Sequence, residues 1–384
     1  MKFLKIFIKF LFLFFLLTNI FCNTNQIKQN LKKHDPKKQI DLKKFFSLSH
    51  SPFKNEQIFT DPLSLYNAAK DTLRYFKERK FFSRYYVNPK DFSTQILSWQ
   101  KTMQTLEFIV QTIEEDQKNN SEFKILDPNF LSKNFKFIKW AGDIETAFQN
   151  KIVIPEHTCG KIPKNQIRLT NYAIFRTTGS YLKTKKYSCP LYQIVDQEFA
   201  EKDRLKFTKQ QILSGVLNNP KYKNKVNPIV WLDRDGLEDA IMQGSLVVEM
   251  PDGIIRIFNV DKSNGIDFDK IIKDLKAQKR YWYFKELQKD VIENNITHLN
   301  HGQAIFAGDI NNIGIGKLIS VIYTNPVTKQ KEARLGVLCD TGGAFKDNLY
   351  QLDYFMGIFD DKKNFYSQIR HLPNTVEAYI LAKR

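Results

Sequence analysis

The chain has 384 residues, of which 42% are hydrophobic, 14% aromatic and 26% charged. This composition excludes collagen-like, low-complexity, disulfide-scaffold and wholly disordered proteins, and the length allows about two domains of roughly 150 residues each. The chain carries 59 Lys and Arg against 41 Asp and Glu, which gives a formal net charge of +18.

The N-terminal residues have a pattern that is typical of an export signal. Three lysines precede or interrupt a short apolar stretch whose strongest block is 10–17. That block is too short to span a bilayer alone, which takes about 20 residues, but it fits the apolar region of a secretory signal. We predict a signal peptide at 1–22 and a protein of the periplasm or cell envelope; an uncleaved N-terminal anchor stays open as the alternative. Cys22 is a candidate for lipid attachment to the outer membrane.

The positive charge favours an anionic partner, such as an acidic cell-wall polymer or anionic lipid. Lysines are spread along the whole chain without a run of five basic residues. Because an exported protein rarely meets nucleic acid, we expect no nucleic-acid partner.

The mature chain retains three cysteines, so one intramolecular disulfide at most can form. Cys159 and Cys189 are the plausible pair in an oxidising compartment. No Cys or His spacing resembles a metal site, and we expect neither a metal nor an organic cofactor.

Residues 23–58 are polar, rich in lysine and without periodicity, which predicts a flexible tether. The Asp61-Pro62 pair predicts a helix start, with an acidic cap followed by proline in the first turn. Apolar residues then recur at helical spacing, and a second helix is predicted from about Asp91.

Short strands are predicted after about residue 150. Two Val- and Ile-rich runs within 245–260 flank a Pro-Asp-Gly turn, and two further runs, 318–323 and 334–339, flank an Asn-Pro turn. We predict a helix over 268–294 between these hairpins and a final strand at 376–383. Helices first and strands later indicate an α+β, mainly β, fold.

The densest chemical signal lies at 339–357. A predicted strand runs into Asp340, and Gly342 and Gly343 allow a tight turn with positive φ or a close backbone approach. Asp353 follows among apolar neighbours. Desolvation disfavours a carboxylate, so Asp353 can stay protonated at neutral pH and donate its proton. From the spacing alone, a local hydrogen-bonding role for these aspartates stays open.

These residues resemble the three-aspartate signature of the membrane-bound lytic murein transglycosylase A family. The matching segments, in the order of the family, are Pro190-Leu191-Tyr192, Trp231-Leu232, Gln243-Gly244-Ser245, Ala307-Gly308-Asp309 with Gly316, Asp340-Thr341-Gly342-Gly343-Ala344-Phe345-Lys346, and Leu352-Asp353-Tyr354-Phe355 with Gly357.

The resemblance implies two domains with a substrate groove between them. One is a double-psi β-barrel with a helical N-terminal part, built from 59–172 and 290–384. The other is an inserted, smaller β-rich domain at 173–289. We expect a monomer whose partner is the peptidoglycan glycan strand.

The resemblance also implies a chemistry: cleavage of the β-1,4 bond between N-acetylmuramic acid and N-acetylglucosamine by a lytic exotransglycosylase, with endolytic cleavage within the strand left open as the alternative. The C6 hydroxyl of the muramic acid attacks and leaves a 1,6-anhydro end. Because this nucleophile belongs to the sugar, one carboxyl group can act first as acid and then as base, whereas ordinary glycoside hydrolysis uses two. The family's catalytic aspartate falls on Asp353, and Asp340 would support it electrostatically. The expected substrate contacts are Tyr172, Gln243, Gly244, Ser245, Asp309, Gly342, Gly343 and Lys346; for Gln243 to Ser245, a plain hairpin edge is the alternative.

Two departures from the family stand out. Where the family has Thr-Gly-Tyr-Tyr-Glu-Pro, this chain reads Thr170-Asn171-Tyr172-Ala173-Ile174-Phe175 and retains one tyrosine. Asp347 stands where glycine is usual, which adds a negative charge. A catalytically weakened peptidoglycan-binding or scaffold protein of the same fold therefore stays open beside the active enzyme.

Overall fold

The computed structural model describes residues 41–384 except 55, 79–96, 155–156, 158–159, 270 and 288–301. The predicted signal peptide, Cys22 and residues 23–40 of the predicted tether lie outside the described residues. The tether prediction is wrong for 41–58, whose described residues hold a 3-10 turn and two short strands, because Leu42, Phe46 and Phe53 are buried. Within the described part, no helix is long and apolar enough to cross a membrane.

The described chain contains the following helices and strands. The helices are α1 (Pro62–Glu78), α2 (Trp99–Lys118), α3 (Pro128–Asn134), α4 (Ile144–Gln149), α5 (Gln197–Glu201), α6 (Lys209–Leu213), α7 (Arg234–Gln243), α8 (Ile310–Ile313) and α9 (Lys362–Ile369). The strands are β1 (Phe46–Ser49), β2 (Gln57–Ile58), β3 (Phe135–Trp140), β4 (Ile167–Thr178), β5 (Cys189–Ile194), β6 (Val226–Leu232), β7 (Ser245–Glu249), β8 (Ile255–Ser263), β9 (Trp282–Glu286), β10 (Ile305–Ala307), β11 (Lys317–Thr324), β12 (Lys331–Asp340), β13 (Gln351–Phe359) and β14 (Thr375–Lys383).

The chain forms two compact units. Among the described residues, the barrel unit comprises 41–172, 302–357 and 365–384. The inserted unit comprises 173–287 and 358–364. Each unit is described by itself below.

The N-terminal helices of the barrel unit follow their capping residues. Asp61 accepts a hydrogen bond from the backbone N–H of Ser64 at 2.7 Å, which confirms the predicted start of α1. The second predicted helix is present as α2, capped by Ser98 and beginning at Trp99; residues 91–96 lie outside the described part. The apolar face of α2 is buried.

Six strands of the barrel unit close into a ring. Their order is β14-β11-β12-β10-β13-β4, and β4 pairs back onto β14 through Arg168 and Thr375. β10 and β12 run parallel, whereas β11 runs antiparallel to both β12 and β14. Closure leaves these strands without a free edge and surrounds a core of apolar side chains. The β11–β12 hairpin and the final strand β14 confirm two sequence predictions.

The inserted unit holds the end of β4 with β7, β8 and β9 in one sheet, and β5 paired with β6. The predicted hairpin is β7 and β8, antiparallel around a turn in which Gly253 has φ 78°. Cys189 is a buried free thiol. Its predicted disulfide partner, Cys159, lies outside the described residues.

The helix predicted over 268–294 is wrong. The described part of this range contains a short 3-10 turn and the strand β9, and 288–294 lie outside it. Tyr281, Tyr283 and Phe284 are fully buried in the aromatic core of the inserted unit. Burial of these rings against β8 outweighs the helical preference of the surrounding Lys and Leu residues, because strand formation depends on packing more than on intrinsic propensity.

The positive φ predicted for the signature glycines is also wrong. Gly342 is extended with φ −149°, and a Cβ placed on Gly343 would meet no atom within 4 Å. The left-handed residue of this loop is Asp347, with φ 51°. Glycine reaches this conformation without a steric penalty, so the position where the family has glycine is the one that needs it.

Replacing Asp347 by glycine should therefore stabilise the protein. We expect Asp347→Gly to raise the free energy of unfolding by up to about 1 kcal/mol, because relief of left-handed strain exceeds the added entropy of the unfolded chain. Asp347→Ala should lower the free energy of unfolding, since alanine lacks the local hydrogen bonding of aspartate. Urea denaturation of the three proteins measures both changes; equal stability of the Gly and Ala variants would contradict the assignment.

Candidate active site

The short strand β10 brings Asp340 and Asp353 together. β10 lies between β12 and β13, and Ala307 pairs with Asp340 on one side and Asp353 on the other. Neighbouring strands lie about 4.8 Å apart, so the two Cα atoms are about 10 Å apart. Residues directly opposite each other in a sheet share a face, which allows the two carboxyl groups to interact.

Asp353 is the desolvated carboxyl group of this pair. Its Oδ1 atom is buried and has no hydrogen-bond partner among the described residues. Burial raises the pKa of Asp353 to about 7, and the charge of Asp340 adds to the rise, while Thr170 and Arg168 oppose it. Asp353 is therefore about half protonated at neutral pH and largely protonated below it.

Asp340 receives two hydrogen bonds that Asp353 lacks. The Tyr172 hydroxyl donates to Oδ2 at 2.7 Å, and the backbone N–H of Thr341 donates to Oδ1 at 2.7 Å. Burial raises the pKa of Asp340, but both hydrogen bonds lower it because they stabilise the charged form. The environments push the two pKa values apart, so that Asp340 ionises before Asp353.

The Tyr172 hydroxyl donates its hydrogen bond to Asp340. Its ring packs at 5.1 Å from the ring of Phe355, and burial together with the charge of Asp340 raises the pKa of Tyr172 well above its usual value. The hydroxyl therefore stays protonated and donates. The sequence predicted contact with a sugar, whereas the structure shows contact with a carboxylate.

Sequence analysis missed the residues of β4 beside Asp353. The amide of Gln351 donates to the Thr170 hydroxyl at 2.9 Å and accepts from Arg168 at 3.5 Å. Arg168, Thr170 and Tyr172 alternate along β4 and so share one face of the strand. The alternation of Arg168 and Thr170 with Tyr172, which is itself a predicted site residue, is the sequence pattern that could have indicated them.

Asp309 is an internal anchor. It has no solvent exposure and caps α8 by accepting from the backbone N–H groups of Asn311 and Asn312 at 3.2 and 3.1 Å. Its Oδ2 accepts from the Asn312 side chain at 2.7 Å and from the backbone N–H of Asn348 at 3.0 Å. Because its carboxylate is fully buried, Asp309 cannot contact a glycan. It instead connects the end of β10 to the loop 341–350 between β12 and β13, called the signature loop below.

The other predicted contact residues lie in two places. In the barrel unit, Gly343 and Lys346 are exposed on the signature loop and Gly342 is half-buried. In the inserted unit, Gln243 ends α7, Gly244 caps it with φ 79°, and Ser245 begins β7. Among the described residues, no group of three or more His, Cys, Asp or Glu side chains could hold a metal ion.

No protein-family model matches the sequence, and no curated protein matches it by sequence. By structure, the chain is similar to E. coli MltA with bound chitohexaose, with a TM-score of 0.56 and 13% identity over 88% of this chain and 94% of that chain. A membrane-bound lytic murein transglycosylase from Agrobacterium tumefaciens gives a TM-score of 0.53 and 16% identity over 85% and 94%. MltA from Neisseria gonorrhoeae gives 0.51 and 14% over 84% and 88%.

At sequence identities of 13–16%, the similarity to these structures shows a shared fold. The chain has the fold of the MltA proteins, mixed α and β, mainly β, and of the double-psi β-barrel type. The predicted fold class and the resemblance behind it are confirmed at this level.

The anchoring role of Asp309 predicts a large loss of stability on its removal. Asp309→Ala leaves several buried donors without an acceptor and should lower the free energy of unfolding by about 2–4 kcal/mol. Asp274→Ala is the matched control, because Asp274 caps an exposed 3-10 turn in the same way; it should cost no more than about 0.5 kcal/mol. Chemical denaturation gives both values, and equal losses would contradict the role.

Proposed function

We propose that this protein is a peptidoglycan lytic transglycosylase that cleaves the β-1,4 bond between N-acetylmuramic acid and N-acetylglucosamine and leaves 1,6-anhydro ends. The observation that carries the proposal is the pair of aspartates beside Ala307, one desolvated and one hydrogen bonded. The fold shared with MltA supports it, since the E. coli protein binds chitohexaose.

Asp353 serves first as the acid and then as the base. Its proton passes to the glycosidic oxygen as the bond from that oxygen to C1 of the muramic acid breaks. The C6 hydroxyl of the same sugar attacks C1, and its proton passes to the Asp353 carboxylate. The carboxyl group is thereby restored, and no water is consumed.

Asp340 supplies the negative charge that this reaction needs. Positive charge develops at the sugar ring as the glycosidic bond breaks, and an ionised carboxylate held by Tyr172 and Thr341 stabilises it without rearrangement. The same charge raises the pKa of Asp353, which keeps the acid protonated before the reaction.

We assign the remaining predicted contacts to glycan binding, with the exception of Tyr172 and Asp309, which act as positioning residues. The open space at Gly343 allows a sugar to approach the backbone closely. Lys346, Gln243, Gly244 and Ser245 complete the proposed binding residues. The working location is the cell envelope, after export, with attachment through the N-terminus.

A weakened peptidoglycan-binding protein is the second candidate. It is favoured by the hydrogen bond from Tyr172 to Asp340, because the single tyrosine retained from the family's motif then donates its hydroxyl proton to the carboxylate and has none to donate to the glycan. Product analysis distinguishes the two candidates, since a binding protein retains sacculi without releasing 1,6-anhydromuropeptides.

Asp353→Asn should abolish product formation. Amide replacement keeps the shape of the side chain but removes the transferable proton, so the rate of release of 1,6-anhydromuropeptides from purified sacculi should fall by about 10²–10⁴-fold. Mass spectrometry of the soluble products measures the rate. Asp360→Asn is the control, because Asp360 is exposed in the inserted unit and forms an ion pair with Arg176 at 3.6 Å; its rate should match the wild type. Undiminished product from Asp353→Asn would sink the assignment of the acid.

The pH profile should report the two aspartates separately. The rate on soluble glycan strands should fall as the pH rises through about 7, because Asp353 loses its proton, and fall again in acid as Asp340 becomes protonated. Tyr172→Phe removes a hydrogen bond that lowers the pKa of Asp340, so the acidic limb should move to higher pH. Tyr366→Phe, on an exposed face of α9, should leave the profile unchanged. An acidic limb that stays in place in Tyr172→Phe would show that Tyr172 does not position the charge.

A further inference from the structure

The barrel unit contains a cavity that the proposed reaction does not use. It has a volume of about 310 Å³ and is lined by Phe59, Gln303, Glu332, Arg334, Gln368 and His371, among others. Arg334 lies six residues before Asp340 on β12. At about 3.3 Å per residue, the Cα atoms of Arg334 and Asp340 are about 20 Å apart. Met356, which also lines the cavity, lies three residues after Asp353 on β13, about 10 Å away. The lining includes neither aspartate, so the cavity is separate from the pair.

The floor of the cavity is a closed network of charges. Arg334 donates from Nε to the Tyr323 hydroxyl at 2.8 Å and from Nη1 to Oε1 of Gln303 at 2.5 Å. Glu332 accepts from the Tyr323 hydroxyl at 3.0 Å and from the Asn325 amide at 2.6 Å, and lies 4.0 Å from Arg334. Each charge already has its partners within the protein.

This network favours a neutral ligand. A carboxylate or phosphate would have to displace the partners of Arg334, and a cation would have to displace those of Glu332. Either exchange leaves buried polar groups unpaired, and the free energy lost in this way exceeds the free energy gained from the new contact. Arg334 and Glu332 therefore shape the cavity, and their charges are balanced by partners within the protein.

The wall and rim offer the two surfaces that a sugar needs. Phe59 is 36% exposed and its ring lies over the Arg334 guanidinium at 5.8 Å, while Met356 and Leu372 add apolar surface. The rim carries side-chain amides, a hydroxyl and an imidazole, from Gln330, Gln368, Thr328 and His371. An amide offers both donors and acceptors, as neighbouring sugar hydroxyl groups require.

Gln303 lines this cavity in a strained conformation, and its amide is bonded within the protein, through Oε1 to Arg334 and through Nε2 to Oε1 of Gln368 at 3.5 Å. Its φ is 65°, although it is not a glycine. Its carbonyl accepts from the Tyr354 hydroxyl at 2.6 Å, and its N–H donates to the carbonyl of Phe355 at 2.6 Å. Strain that the surroundings maintain is found preferentially at ligand sites.

We propose that this cavity binds one unit of a neutral N-acetylated hexosamine oligosaccharide. The pyranose C–H groups pack on Phe59, the acetyl methyl packs on Met356 and Leu372, and the hydroxyl groups bond to the amides of the rim. The volume lies at the lower end of the range for small-ligand pockets, about 300–1,000 Å³, which suits a single sugar unit. Binding here does not depend on catalysis by Asp353.

The test uses His371 as a local reporter. The chain has six histidines, and His371 is the one found among the described residues that line this cavity. The full chain carrying Asp353→Asn is labelled with [ε1-¹³C]histidine, the His371 signal is assigned with His371→Gln, and N,N′,N″-triacetylchitotriose is titrated in. We expect a saturable shift of this signal.

Two variants locate the binding. Phe59→Ala should weaken binding about tenfold by removing the aromatic surface. Tyr366→Ala, which removes an aromatic ring that is 60% exposed and does not line the cavity, should leave it unchanged. An unmoved His371 signal up to millimolar sugar, an equal response in Phe59→Ala, or a shift with an acidic dipeptide in place of the sugar would overturn the proposal. Since the titration involves no turnover, its failure is distinguishable from a failure to release 1,6-anhydro products.

Discussion

The arrangement of the candidate active site depends on the desolvation of one carboxyl group, that of Asp353. Asp353 is placed on β13 within a closed ring of strands, where its Oδ1 is buried without a partner. A carboxylate in that position would lose its hydration without replacement, so the group keeps its proton to about pH 7. Asp340, across β10, is also buried, but two donors are directed at its oxygens and oppose the rise in its pKa. Two neighbouring carboxyl groups, of which Asp340 ionises at the lower pH, follow from that contrast.

The surrounding residues maintain the contrast. Asp309 is buried, and its four hydrogen bonds connect β10 and α8 to the signature loop. Tyr172 extends from β4 to Asp340 and is itself fixed by Phe355. These polar residues act on the aspartates through position and charge. The loop they hold also contains a local conflict, because Asp347 occupies a left-handed conformation that suits glycine better.

The sequence indicated these features unevenly, for physical reasons. Asp340 and Asp353 could be found because they belong to a dense motif, and the hairpins because proline, aspartate and glycine mark their turns. The strand β9 could not, because burial of Tyr281, Tyr283 and Phe284 decides its conformation and depends on distant parts of the chain. Arg168 belongs to no motif, and Thr170 belongs to a segment in which little of the family's pattern is retained, so both are recognisable chiefly from their alternation with Tyr172 along β4. The cavity beside Arg334 joins residues from 59 to 372 and has no local signature.

The central claim is the protonation state of Asp353, and nuclear magnetic resonance measures it directly. In the full chain labelled at the aspartate side-chain carbonyl carbon, the signal of Asp353 is identified by its loss in Asp353→Asn and followed as the pH is raised. The account predicts a midpoint near 7, well above the value of about 3.9 for an unperturbed aspartate. A midpoint near 4 would show that Asp353 is ionised at neutral pH and would contradict its role as the acid.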